Sequence, residues 1–87
     1  MTSGTSTSAE LCRRLAANVR RLRVAASLTV KQAAGRENIH WRHWQKVEAG
    51  QTNATLSTIV RIAAALRVTP AELLMEPPPA SGEPSGG

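Results

Sequence analysis

The apolar positions of the chain fall into helical stripes separated by short polar breaks. Leu11, Leu15, Val19 and Leu22 recur at intervals of four, four and three residues, which puts them on one face of a helix. Thr7-Ser8-Ala9-Glu10 precedes them with the spacing of a capping box, so this helix is expected from about Ser8 to Ala25. Thr29-Val30-Lys31-Gln32 repeats the spacing: the threonine hydroxyl can accept from the third helical N–H while the glutamine reaches back. The second helix should last only about two turns, because Gly35 weakens it and Asn38, which tolerates a left-handed backbone, stands where the chain would reverse. A tight turn at Asn38-Ile39-His40 then leads into a third helix, Trp41 to Ala49, ended by Gly50. Trp44 and Val47 share its apolar face, with Trp41, Arg42, Gln45 and Lys46 mostly off it.

After a polar loop from Gln51 to Ala54, the apolar positions Leu56, Ile59, Val60, Ala63 and Leu66 carry a fourth helix with Thr55 at its N-cap. Thr69-Pro70-Ala71-Glu72 opens a fifth, combining a capping box with proline at the first helical position, and Pro77 closes it. The expected domain spans residues 8–76. The flanking stretches, 1–7 and 77–87, are rich in Gly, Ser, Thr and Pro and bury too little apolar surface to offset their ordering entropy, so both are expected to be disordered tails.

Composition supports the all-α reading. Apolar residues make up 41% of the chain but include no Phe or Tyr, so the core must be Leu, Ile, Val and Ala, with Trp41 and Trp44 as the only other aromatic candidates. At 87 residues there is room for one small domain. The fold expected is a compact five-helix domain.

Charge then narrows the partner. Eleven Lys and Arg against six Asp and Glu give +5, and residues 1–36 hold seven basic side chains with Glu10 as their one acid. Such a balance favours a polyanion, with a merely solvated surface as the alternative. Arg13, Arg14, Arg20 and Arg21 lie on different sides of their helix and cannot all reach one duplex.

Several chemistries are not expected. Cys12 is a lone helical cysteine, read as a small half-buried hydrophobe rather than a nucleophile. His40 and His43 are three apart but lack a third ligand, so no metal and no cofactor is expected. There is no Ser/His/Asp set, carboxylate pair in an apolar setting or phosphate-cradling glycine loop, which argues against an enzyme. No apolar run approaches the roughly 20 residues of a membrane span and the N-terminus is unlike a secretion signal, so the expected location is cytoplasmic, on the nucleoid.

Two short helices joined by a tight turn, inside a basic all-helical domain, are the sequence image of a DNA-binding helix-turn-helix. "VRRLR" at 19–23, "LTVKQAA" at 28–34, "NIHWRHWQKVEAG" at 38–50 and "IAAALRVTPAELL" at 62–74 fall at mutually consistent spacings. On these fragments, residues 11–74 resemble the Cro/repressor-type (lambda-repressor-like, XRE family) helix-turn-helix domain.

The resemblance implies roles. Ala34 matches the small residue where the second and third helices cross; Ile39, Trp44 and Val47 match the positions that fix the third helix to the core; Arg23 and Glu48 match a structural ion pair. His40, Trp41, Arg42 and Lys46 match positions that meet base edges in the major groove, with Arg42 the leading reader because a guanidinium can bond guanine O6 and N7 together. Gln51, Thr52 and Asn53 match a loop that holds the DNA backbone.

Three positions depart from the pattern. Val30 replaces a glutamine that braces a phosphate, Glu37 replaces an apolar residue, and Arg67 stands where a helix-ending glycine is common. The fourth helix therefore ends either without a left-handed cap or with one held at about 1 kcal/mol of strain. Trp41 is an unusual base reader. Its indole is expected to pack across the third helix or anchor a protein partner, the alternative being an apolar or stacking contact with DNA.

The function implied is a sequence-specific transcriptional regulator of prokaryotic or phage type, a homodimer on double-stranded DNA. Its expected self-association surface is the fifth helix with the end of the fourth: Val68, Leu73, Leu74 and Met75. The rivals are a protein-interaction module led by Trp41 and the DNA-binding antitoxin of a toxin-antitoxin pair.

Overall fold

In a computed structural model, which describes residues 7–78, five helices follow one another as α1 (Ser8–Ala25), α2 (Val30–Arg36), α3 (Trp41–Glu48), α4 (Leu56–Leu66) and α5 (Pro70–Leu74). The tails expected at 1–7 and 77–87 lie outside the described residues, apart from Thr7, Pro77 and Pro78. Thr7 is the N-cap of α1, its side chain accepting from the Glu10 N–H at 3.0 Å.

Every helix begins on a side-chain cap: Thr7, Thr29, His40, Thr55 and Thr69. Reciprocal capping boxes form at Thr29/Gln32 and Thr69/Glu72 but not at Thr7, where Glu10 stands 3.9 Å from Arg14 instead. The Thr69 backbone N–H, then its hydroxyl, donates to the Glu72 carboxylate and holds it below the usual carboxylate range. Each cap satisfies an N–H that the first turn would otherwise leave without a partner.

Helix ends follow the backbone chemistry less closely. Asn38 takes a left-handed conformation at φ 55°, as its position in the turn requires, and Gly50 does so at φ 70° just past α3. Ser27, which nothing in the sequence marked, adopts φ 60° after α1. Arg67 follows α4 at φ 60° and ψ 43°, so of the two endings open to this helix the strained one occurs. Arg67→Gly is accordingly expected to raise unfolding free energy by about 1 kcal/mol in urea titration. An unchanged midpoint would show that the arginine side chain offsets its backbone strain.

The stripes converge on one core of Leu15, Val19, Ala33, Ala34, Ile39, Trp44, Val47, Ile59, Ile62, Ala63, Ala65, Leu66 and Leu73. α1 lies against α3, α4 and α5; α2 against α3 and α4; and α4 against α5. Trp44 is fully buried and is the largest core side chain. A tryptophan removes roughly 200 Å² of surface from water, at most about 5 kcal/mol of transfer free energy, which compensates for the lack of Phe. Ala34 is buried as the crossing of α2 and α3 requires.

Side-chain bonds to backbone carbonyls help to lock the helices together. Arg36 on α2 donates to the Ala65 carbonyl at 2.9 Å, and Arg61 on α4 donates to the carbonyls of Glu37 and Asn38 in the turn. Half-buried Glu37 thus contributes its backbone where the resemblance implied an apolar side chain. Asn18, fully buried on α1, donates through Nδ2 to the carbonyls of Leu73 at 3.0 Å and Met75 at 2.8 Å, while Arg21 donates to its Oδ1 at 3.1 Å. Through these bonds α5 ends at Leu74 rather than at Pro77, because Asn18 satisfies the terminal carbonyls and Met75 turns extended.

The self-association surface needs one correction. Leu73 is wholly buried in its own domain and cannot face a second copy; Val68 and Leu74 are half-buried against the core. Met75 alone of the four is exposed, and among the described residues the other large exposed apolar side chains are Val24, Leu56 and Val60.

Candidate nucleic-acid interface

α3 is held by one face and free on the other. Trp44 and Val47 are buried, and Ile39 is buried just before the helix, so the element is pinned at three points. Its C-terminal end is fixed by Arg23 from α1: Nε donates to Glu48 Oε2 at 2.6 Å, Nη2 to Oε1 at 3.0 Å, and Nη1 to the Leu28 carbonyl at 2.8 Å. The pair is shielded, with side chains 14% and 8% exposed. Its hydrogen bonds to Glu48 hold the Arg23 guanidinium above its ordinary pKa, against a smaller opposing effect of burial. Glu48 also accepts from Trp44 Nε1 at 2.6 Å, so one carboxylate satisfies a cation on α1 and the indole at the centre of the core. The family resemblance implied the Arg23 partnership but not this indole bond.

The outward face carries the expected readers. Arg42 and Lys46 are exposed and one helical turn apart, with Gln45 exposed beside them. His40 is exposed, but its first role is structural: Nδ1 accepts from the Arg42 N–H at 3.1 Å and caps α3. Trp41 is half-buried and packed against the core edge. His40 stacks on it with centroids 5.9 Å apart, and the Arg42 guanidinium carbon lies 5.2 Å from its ring centroid. Lys31 Nζ, from α2, lies 5.0 Å from the same centroid. Each such cation–ring contact contributes about 0.5–1 kcal/mol at an exposed site. Lys31 was not among the residues expected at this surface. It is ten positions from Trp41, and only the crossing of α2 over α3 brings the two together.

The loop after α3 lies at the other end of the helix, roughly 12 Å from His40 by its length. The Gln51 N–H donates to the Lys46 carbonyl at 3.0 Å, leaving the Gln51 side chain exposed. Thr52 is half-buried; Asn53 is exposed and its Oδ1 accepts from the Cys12 thiol at 2.9 Å. Cys12 is thus half-buried as expected, and it also ties the loop to α1. The structure therefore gathers His40, Trp41 and Arg42 at one end of the helix and Gln51, Thr52 and Asn53 at the other, with Lys46 between. Beside this face, Arg20, Val30 and Gln45 line a cleft of about 400 Å³.

A wider surface depression than this cleft, about 630 Å³, lies elsewhere, between α1, the end of α3 and Pro77. It interleaves Glu10, Arg13, Arg14, Glu48 and Glu76, and Glu10 and Glu48 already face arginines. Among the described residues no group of three or more His, Cys, Asp or Glu side chains is placed to hold a metal ion, and no helix is long and apolar enough to cross a membrane.

Comparison with known proteins agrees with this geometry. The family model described as a helix-turn-helix domain matches residues 14–74. A comparison with curated proteins returned no match. Among solved structures, the hypothetical transcription factor NHTF from Neisseria superposes with a TM-score of 0.76 at 28% identity, over 88% of each chain. The restriction-modification controller protein C.AhdI from Aeromonas hydrophila gives 0.69 at 31% identity, over 71% of this chain and 94% of its own. An HTH_3 family transcriptional regulator from Vibrio cholerae shares the fold at 0.74 and 19% identity, over 77% of this chain and 38% of its own. The match of the family model across α1 to α5, the five-helix architecture and the turn at Asn38 agree: the chain belongs to the helix-turn-helix domain family, in its Cro and XRE branch.

Proposed function

We propose that this chain is a sequence-specific DNA-binding transcriptional regulator of prokaryotic or phage type, which places α3 in the major groove. The observation that carries the reading is the division of α3. Trp44 and Val47 anchor one side, while the other presents Arg42, Gln45 and Lys46; Glu48, the helix's one carboxylate, is taken up by Arg23 and Trp44. A helix so mounted offers donors to the acceptor-rich edge of guanine without an anionic group to repel phosphate. Gln51, Thr52 and Asn53 would hold the backbone at one end, and Arg20, beside Val30, supplies a cation near the position where the bracing glutamine is replaced.

A single domain of this size reads only a few base pairs, so useful specificity calls for a dimer with half-sites about 34 Å apart. Met75 on the α5 side, with Leu56 and Val60 on α4, offers the exposed apolar surface for it.

The test is selection of bound duplexes from a random pool at two salt concentrations, since binding through phosphates alone collapses as salt rises. A two-fold motif that survives the higher salt is expected; recovery without any motif would overturn sequence-specific reading. On the enriched duplex, Arg42→Ala should weaken specific binding by about 1–3 kcal/mol while lowering the melting temperature by no more than the few degrees that loss of its contact with the Trp41 ring allows. Equal affinity of mutant and parent would remove Arg42 from the reading role.

A further inference from the structure

Trp41 sits at the seam of α2 and α3, with cations from both helices against its ring: Lys31 at 5.0 Å and Arg42 at 5.2 Å. Both residues are exposed, and among the described residues neither has a carboxylate within ion-pairing distance. Two positive charges so placed lie within about one Debye length of each other at 0.1 M salt and repel. The negative face of the indole counters that repulsion and draws both inward. The ring itself is half-buried, packed against the core and stacked by His40, so it is a fixed element rather than a mobile contact.

We infer that Trp41 is a positioning residue, whose indole brackets Lys31 and Arg42 into one cationic pair across α2 and α3, with Lys31 contacting a phosphate beside the base that Arg42 reads. The inference rests on the reading of α3 as a DNA-reading helix. A guanidinium must be coplanar with a guanine edge to bond both of its acceptors, and a side chain already ordered against a ring gives up less freedom on binding. The ammonium needs no such plane and acts on phosphate as a point charge. The bracket thus assigns different tasks to its two cations and sets their separation through one rigid ring.

The test compares wild type, Lys31→Gln, Trp41→Phe and Trp41→Leu on the enriched duplex across a salt series, with melting curves as a control. Lys31→Gln leaves the core untouched and should reduce the salt slope by about one, the signature of a single lost phosphate contact. Trp41→Leu stays apolar, though smaller, and loses the quadrupole, and with the melting curves accounting for lost packing it should weaken specific binding about tenfold and flatten the salt slope as well. Trp41→Phe should restore most of both. Adding Lys31→Gln to Trp41→Leu should produce little further loss, since Lys31 acts through the ring. In the free protein, iodide quenching of Trp41, corrected for buried Trp44, should fall about twofold in Lys31→Gln because the local cation no longer attracts the anion.

Wild-type binding with an indifferent Trp41→Leu would overturn the inference alone. Equal damage in the Phe and Leu variants would also overturn it, pointing to direct contact by the indole. Failure of the wild type to bind any duplex would sink both the inference and the reading beneath it.

Discussion

Glu48→Ala is expected to lower the unfolding free energy by about 3–5 kcal/mol, the cost of stranding a shielded charge. For a domain of this size that corresponds to a melting temperature lower by at least about 12 °C, readable by far-UV circular dichroism. The loss is large because Glu48 ends two networks at once. Its removal leaves Arg23 with only the Leu28 carbonyl and leaves the Trp44 indole N–H without its acceptor inside the core. Glu48→Gln keeps an acceptor but no charge, so it should fall between the two. A cycle with Arg23→Ala then isolates the ion pair: strictly additive losses, or an unchanged Glu48→Ala melt, would show that the pair contributes nothing.

Asn18→Ala should cost about 1–3 kcal/mol, because it leaves the buried Leu73 carbonyl unpaired. Its effect should also be localised. The Nδ2 group joins α1 to the last turn of α5 and to Met75, so amide hydrogen exchange in α5 should quicken more than in α3, whose anchors are untouched. Uniform acceleration across all helices would mean that Asn18 supports the domain generally rather than clamping its C-terminal helix. The same variant probes the proposed dimer, since Met75 is fixed in place by the bond that is lost.

How far the sequence could be read depends on whether an interaction is local. The caps at Thr29, Thr55 and Thr69 were legible because each bond joins residues three apart, and the stripe of α1 was legible because burial follows helical period. The turn at Asn38 was legible from a side chain that tolerates positive φ. Arg23 and Glu48 are 25 positions apart and were paired only through resemblance to a family pattern. Asn18 had no such guide: as an asparagine it reads as surface, and its partners are backbone carbonyls, which no pattern of side chains can announce. Leu73 was misassigned to the surface for a related reason, since periodicity in a five-residue helix is too short to tell which apolar residue turns inward. On the outward face of α3, Arg42, Lys46 and Trp41 are proposed readers by position, while the place of Lys31 beside Trp41 depends on the crossing of two helices.

The histidine that begins α3 has a consequence for the grammar of recognition. Its Nδ1 is occupied as an acceptor of the Arg42 N–H, and a neutral imidazole has one acceptor and one donor nitrogen. The cap therefore selects the tautomer that carries its hydrogen on Nε2. Whatever His40 meets beyond the helix must take a hydrogen bond rather than give one: a phosphate oxygen, a purine N7 or the O6 of guanine satisfies it, and the amino group of cytosine does not. A residue that serves the backbone with one edge of its ring thus has its vocabulary on the other edge restricted in advance.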